Sequence, residues 1–90
     1  MITSDNLSEV LNDLSEEQIN EAFEASHDWV LFEVHISNAG FSATIESKDF
    51  DEETNQEAAD NGQIFCDKDN FLQLVKESET TNETLLELIK

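Results

Sequence analysis

Apolar residues along this chain fall into short blocks, and the spacing within each block names an element. Leu7, Val10, Leu11 and Leu14 stand at i, i+3, i+4 and i+7, a one-sided stripe that predicts a helix. Asn6, with Glu9 three residues later, is placed to cap it. Ser15-Glu16-Glu17-Gln18 has the Ser-x-x-Gln form of a capping box, which predicts a second helix with Ile19, Ala22 and Phe23 inward. The period then drops to two. Over residues 29–36 the even positions Val30, Phe32, Val34 and Ile36 are all apolar, while the odd face begins with Trp29 and Leu31 and ends with Glu33 and His35. That is a strand, partly covered on its second face.

Ser37-Asn38-Ala39-Gly40 supplies a turn, with Gly40 free to take positive φ, and Phe41, Ala43 and Ile45 alternate with Ser42, Thr44 and Glu46 as the antiparallel partner strand. Residues 47–61 show no sustained apolar period and read as a long acidic connection with room for a helical turn over 54–59. Ile64, Phe65 and Cys66 fit a third strand, and Phe71, Leu74, Val75 and Ser78 return to helical spacing. Thr80-Thr81-Asn82-Glu83 resembles a second capping box, leading into Leu85, Leu86, Leu88 and Ile89. The expected fold is α+β over one acidic domain, residues 1–90: a small antiparallel three-stranded sheet packed with short helices on one face, in the order ααβββαα.

Charge changes what this pattern means. Twenty-two Asp and Glu stand against four Lys and no Arg, a formal charge of −18, or one uncompensated negative charge for every five residues. Hydrophobic residues are 38%, below the usual range of about 45–50% (which counts Gly). Such a balance raises the question of disorder, but the apolar positions are periodic and carry capping signals, so a folded domain with an acidic surface is expected. Self-repulsion opposes the compact state, and the field that causes it is suited to a strongly basic surface. Most such surfaces bind nucleic acid.

Several chemistries lack their residues. Cys66 is the single cysteine, so it closes no intramolecular disulfide and forms no CxxC motif; a small buried side chain is expected. The start, Met1-Ile2-Thr3-Ser4-Asp5, has neither a basic nor an apolar signal region, and no apolar run approaches the ~18 residues of a membrane span, so a soluble, cytoplasmic protein without membrane contact is expected. Asp49-x-Asp51-x-Glu53-x-Asn55 places oxygen ligands at alternate positions, but an EF-hand needs Gly where Thr54 stands and Glu where Asp60 stands. His27 and His35 have no ligand or nucleophile at a telling spacing, and no Gly-rich phosphate loop exists. No catalytic residue, metal or cofactor is expected, and four Lys against twenty-two acids leave no basis for direct nucleic-acid binding.

The acids themselves are patterned. Glu17, Glu21, Glu24 and Asp28 run at i, i+4, i+7 and i+11 as one stripe along the second helix and its exit, and Glu9, Asp13 and Glu16 extend it back toward the first. An ordinary solvated face interleaves Lys and Arg for i, i+4 support. This one has no basic residue before Lys48. Together with Asp49, Asp51, Glu52, Glu53 and Glu57, these twelve carboxylates are the candidate partner-binding residues.

In size, charge and α+β pattern the whole chain resembles the small acidic DNA-mimic proteins of phages and mobile elements. It does so through the stripe Glu17/Glu21/Glu24/Asp28 and the acidic segment 49–60 rather than through a sequence signature. Among these, it resembles the anti-restriction nuclease (Arn) proteins of T-even phages most in length and expected architecture. The resemblance implies an inhibitor that occupies the DNA site of a restriction endonuclease of the McrBC type. Alternatives are an anti-CRISPR or other inhibitor of a nucleic-acid enzyme, an immunity protein for a toxin nuclease, and an acidic adaptor for a basic nucleoid or transcription protein. A homodimer is also expected, because three short strands leave sheet edges open and Leu85, Leu86, Leu88 and Ile89 are broader than one core stripe requires.

Overall fold

The computed structural model describes residues 4–89, so Met1, Ile2 and Thr3 of the opening segment inspected for a signal sequence lie outside the described residues. The chain runs α1 (Ser4–Asn12), α2 (Glu16–Glu24), β1 (Trp29–Ser37), β2 (Gly40–Lys48), α3 (Glu52–Asn61), β3 (Ile64–Asp67), α4 (Lys68–Glu77) and α5 (Glu83–Leu88). This is the expected α+β fold, with a full helix inside the acidic connection.

β1 lies at the centre of the sheet, in the order β2-β1-β3. It pairs antiparallel with β2 from Ser37↔Gly40 to Trp29↔Lys48, and with β3 from Phe32↔Ile64 to Trp29↔Asp67. The hairpin turns at Gly40, whose φ of 121° only glycine adopts readily, while Ser37 Oγ accepts from the Ala39 N–H at 3.2 Å. β3 is short, and a side chain continues its ladder. Gln63 Oε1 accepts from the Val34 N–H at 2.6 Å, and Gln63 Nε2 donates to the Val34 carbonyl at 3.3 Å.

The even face of β1 carries the main core. Val30, Phe32 and Val34 pack with Ala43 and Ile45 of β2 beneath Val10, Leu11, Leu14, Ile19, Ala22, Phe71, Val75 and Leu85 from α1, α2, α4, α5 and the loop after α1. Phe32 and Phe71 are fully buried, with ring centroids 5.7 Å apart. The odd face is covered separately by α3, where Ala58 packs on Leu31 and Phe65 with Trp29 alongside. Helices therefore lie on both faces of the sheet, not on one.

Three local expectations are corrected. Asn6 lies inside α1 and does not start it. α5 is capped by Asn82, not by the Thr80 box: Asn82 Oδ1 accepts from the Thr84 and Leu85 N–H groups, while Thr80 is buried and donates to Asn12 Oδ1 at 2.7 Å. The apolar parity of the hairpin overstates burial at its tip, because Ile36 and Phe41, which face each other across the strands, are 65% and 42% exposed.

Candidate functional site

α2 carries the densest part of the expected surface. Its capping box closes in both directions: Ser15 Oγ accepts from the Gln18 N–H at 3.1 Å and Gln18 Oε1 from the Ser15 N–H at 3.0 Å. With Ile19 and Ala22 buried, the helix rotation is fixed, and Glu16, Glu17, Glu21 and Glu24 stand exposed beside one shallow depression with Asn20. At ~1.5 Å of rise per residue, Glu17, Glu21 and Glu24 are spaced by about 6 and then 4.5 Å along the axis. That is coarser than the ~3.4 Å per phosphate of one DNA strand but of the same order.

The stripe ends at Glu24. The chain leaves α2 at Ala25 in extended conformation (φ −67°, ψ 154°), so Asp28 is not set by helical period but by the approach to β1, where its carbonyl accepts from the Lys68 N–H at 2.9 Å. Glu9 is exposed on α1, and Asp13 is exposed beyond its last residue.

The segment expected as an acidic loop is built otherwise. Asp51 caps α3: its carboxylate accepts from Thr54 Oγ1 at 2.9 Å and from the Thr54 N–H at 3.4 Å, and the hydroxyl contact chiefly holds its pKa below the ordinary aspartate range. Glu52 and Glu53 occupy the first turn, where the helix dipole favours them. Thr54 and Ala58 turn inward at i, i+4, which makes a helix of a sequence with too few apolar residues to announce one. Asp49 lies outside α3 and accepts from, or pairs with, His27 Nδ1 at 2.8 Å. That contact joins the exit of α2 to the approach to α3.

The twelve candidate carboxylates are thus divided. Glu16, Glu17, Glu21 and Glu24 lie on the helix layer, whereas Glu57 lies across the sheet on α3, beside Leu31 and Glu33. At the sheet end where β1 begins and β2 and β3 finish stand Asp28, Asp49 and Asp51, with Glu52 and Glu53 following in the first turn of α3. This end is an acidic pole. The opposite end is the hairpin, and residues 34–45 form the longest run in the chain without Asp or Glu. Sequence reasoning counted the acids and missed this gap, although it is visible between Glu33 and Glu46. It also missed Phe50, a half-exposed aromatic inside the acidic pole.

Compensation within the chain is sparse. Among the described residues the ion pairs are His27–Asp49 at 2.8 Å and His35–Glu33 at 3.6 Å, and no Lys stands within ion-pair distance of a carboxylate. Lys68 instead donates from Nζ to the Ala25 carbonyl at 2.8 Å, closing the end of α2. Among the described residues no three His, Cys, Asp or Glu side chains are grouped to hold a metal ion. The thiol of Cys66 is pushed up to about 11 by burial, with Asp67 adding to it, so it is a poor nucleophile at neutral pH.

This repulsion has a measurable consequence. Salt screens the exposed carboxylates, so the melting temperature should climb from low to physiological ionic strength. A gain of ~1 kcal/mol would move it by roughly 4–8 °C in a domain of this size. Mild acid should act in the same direction until Asp51 titrates. Because the folded pKa of Asp51 is depressed, its capping contribution is present above the unfolded value and is lost as pH falls through the folded one. Melting curves across salt and pH check both signs, and a flat salt response would mean that the charges are already neutralised.

Of the C-terminal residues expected to face a second copy, Leu85 is fully buried and Ile89 packs against the core, while Leu86 is half-buried and Leu88 is 37% exposed. No helix among the described residues is long and apolar enough to cross a membrane. Comparison of the chain with protein-family models, with curated proteins and with solved structures gives no match.

Proposed function

We propose that this protein is a DNA-mimic inhibitor, without catalytic activity of its own, that occupies the DNA-binding groove of a basic nucleic-acid enzyme. A host-defence nuclease is the favoured target, and the resemblance noted above favours a restriction endonuclease of the McrBC type. The observation that carries this reading is an ordered fold whose carboxylate surface has no lysine partner within ion-pair distance among the described residues.

Magnitudes support it. The molecule measures 32 × 30 × 22 Å, and 32 Å of duplex at about one charge per 1.7 Å carries about 19 phosphate charges, against a formal net charge of −18 here. The acids are spread over several faces, so any one face presents only part of that number. Glu21 and His27 border one depression and His27 pairs with Asp49, so the α2 stripe and the acidic pole adjoin as one acidic track. A carboxylate track of this kind offers a basic groove the charge of a backbone without a phosphodiester bond to cut.

The test is competition. Labelled duplex bound to a purified McrBC-type endonuclease should be displaced as this protein is added, and excess duplex should displace the protein in turn. Association should be fast and should slow steeply with salt. A ternary complex holding both duplex and protein would sink the proposal.

A further inference from the structure

The acidic pole contains an aromatic ring that core formation leaves half in solvent. Phe50 stands between Asp49 and Asp51 and is 46% exposed. Its ring is nonetheless held, because it and Trp29 form a T-shaped pair with centroids 4.8 Å apart and an interplanar angle of 86°, and Phe65 lies at 6.1 Å. Phe65 in turn is buried under α3 and lies 5.0 Å from Trp29. The Phe50 ring is thus held by a packed aromatic pair while close to half of the residue stays exposed. Two of the surrounding carboxylates are already engaged, Asp49 with His27 and Asp51 with Thr54. Glu52 and Glu53 follow directly in the first turn of α3, exposed to a partner.

We infer that Phe50 is the stacking platform of a guanidinium site, and that an arginine side chain of the basic partner lies on its exposed face with Glu52 and Glu53 as carboxylate acceptors. The chemistry selects arginine over lysine. A guanidinium is planar, weakly hydrated and able to stack on an aromatic face while its N–H fork reaches carboxylates at the rim, whereas an ammonium is a compact and strongly hydrated point charge. Negative charge around the ring raises the local concentration of cations, and the ring discriminates between them. A ring already immobilised by Trp29 loses little freedom on binding, which favours a central contact surrounded by weaker charged ones. An acidic surface alone reads only charge; this site adds a preference for shape.

The cationic partner rests on the proposed function, so the two are tested by separate readouts. The full-length protein is titrated by calorimetry at physiological salt with oligo-arginine and with oligo-lysine of equal length. Trp29, the single tryptophan, serves as an optical reporter through its contact with Phe50. Oligo-arginine should bind about three- to fivefold tighter than oligo-lysine and should alone perturb Trp29 emission. Phe50→Leu keeps an apolar side chain but should abolish the ratio while leaving oligo-lysine binding and its salt dependence unchanged. Phe50→Tyr, which keeps the aromatic face, should preserve the ratio and confirms that the site tolerates substitution. Equal binding of the two peptides to the parent protein, or a ratio that survives in Phe50→Leu, would overturn the guanidinium site. Failure of duplex competition with an intact arginine preference would instead overturn the DNA-mimic reading alone.

Discussion

Reversing Glu17, Glu21 and Glu24 to Lys should weaken binding to the target by about 100-fold. The changes alter local charge by six units on one helical face. At about 1 kcal/mol per unit charge at contact distance in water, halved for screening at physiological salt, the loss is ~3 kcal/mol. Most of it should appear in the association rate, because the stripe acts at a distance before contact is made. The fold should be little disturbed. Ile19 and Ala22 keep the helix seated, and the Ser15–Gln18 box is untouched. A lysine at position 17 is unfavourable near the positive end of the helix dipole, but one at position 24 is favourable near the negative end and offsets it.

The control comes from the far side of the sheet. Glu33, Glu57 and Asp60 reversed together change net charge by the same six units, but Glu33 and Glu57 flank the α3 groove away from α2. Only the long-range part of the field should be lost there, which is less than about fivefold at a Debye length of ~8 Å. Equal losses in the two triple variants would show that net charge alone drives association. A loss confined to the α3 variant would move the interface to the opposite face. Surface plasmon resonance at two salt concentrations separates these outcomes.

How far the sequence reached depends on how each element is stabilised. α2, β1 and β2 were legible because their information is local: a capping box, a period-two run and a glycine turn specify them without reference to the rest of the chain. α3 was not, because only Thr54 and Ala58 face inward and the helix depends on the Asp51 cap and on a platform of Leu31 and Phe65 supplied from elsewhere. The same long-range dependence hid the cap of α5, since Thr80 and Asn82 are equally good capping residues until Asn12 claims the first. For the acidic surface, the sequence supplied the number of charges and their helical spacing on α2. It did not supply the partition of twelve carboxylates into a stripe, a pole and an opposite face, because that partition follows from which side of the sheet each helix covers.

Asn82 is the position where one substitution should cost the fold most for its size. Its side chain uses all of its hydrogen-bonding capacity: Nδ2 donates to the Leu11 carbonyl at 3.1 Å and the Leu14 carbonyl at 3.0 Å, and Oδ1 accepts from the Thr84 and Leu85 N–H groups at 3.2 and 3.4 Å. It therefore caps α5 and also satisfies the carbonyls where α1 ends. A helix of six residues does not persist in water by itself, so α5 depends on this latch and on the buried Leu85. Asn82→Ala removes the cap, at ~1 kcal/mol, takes the side-chain donor from the Leu14 carbonyl, at ~1 kcal/mol, and leaves the Leu11 carbonyl with the Leu14 N–H alone, at about half of that. The expected loss is about 2–3 kcal/mol, a fall in melting temperature of roughly 10–20 °C. Asn82→Ser keeps a capping oxygen but cannot reach both carbonyls, so it should recover about 1 kcal/mol of the loss and no more. Asn82→Asp also keeps the cap, yet turns a carboxylate toward the negative end of α1 and should be no better than serine at neutral pH. Thermal melts of the three variants order them as serine, then aspartate, then alanine, and an alanine variant within ~0.5 kcal/mol of the parent would mean that Leu85 alone holds α5 in place.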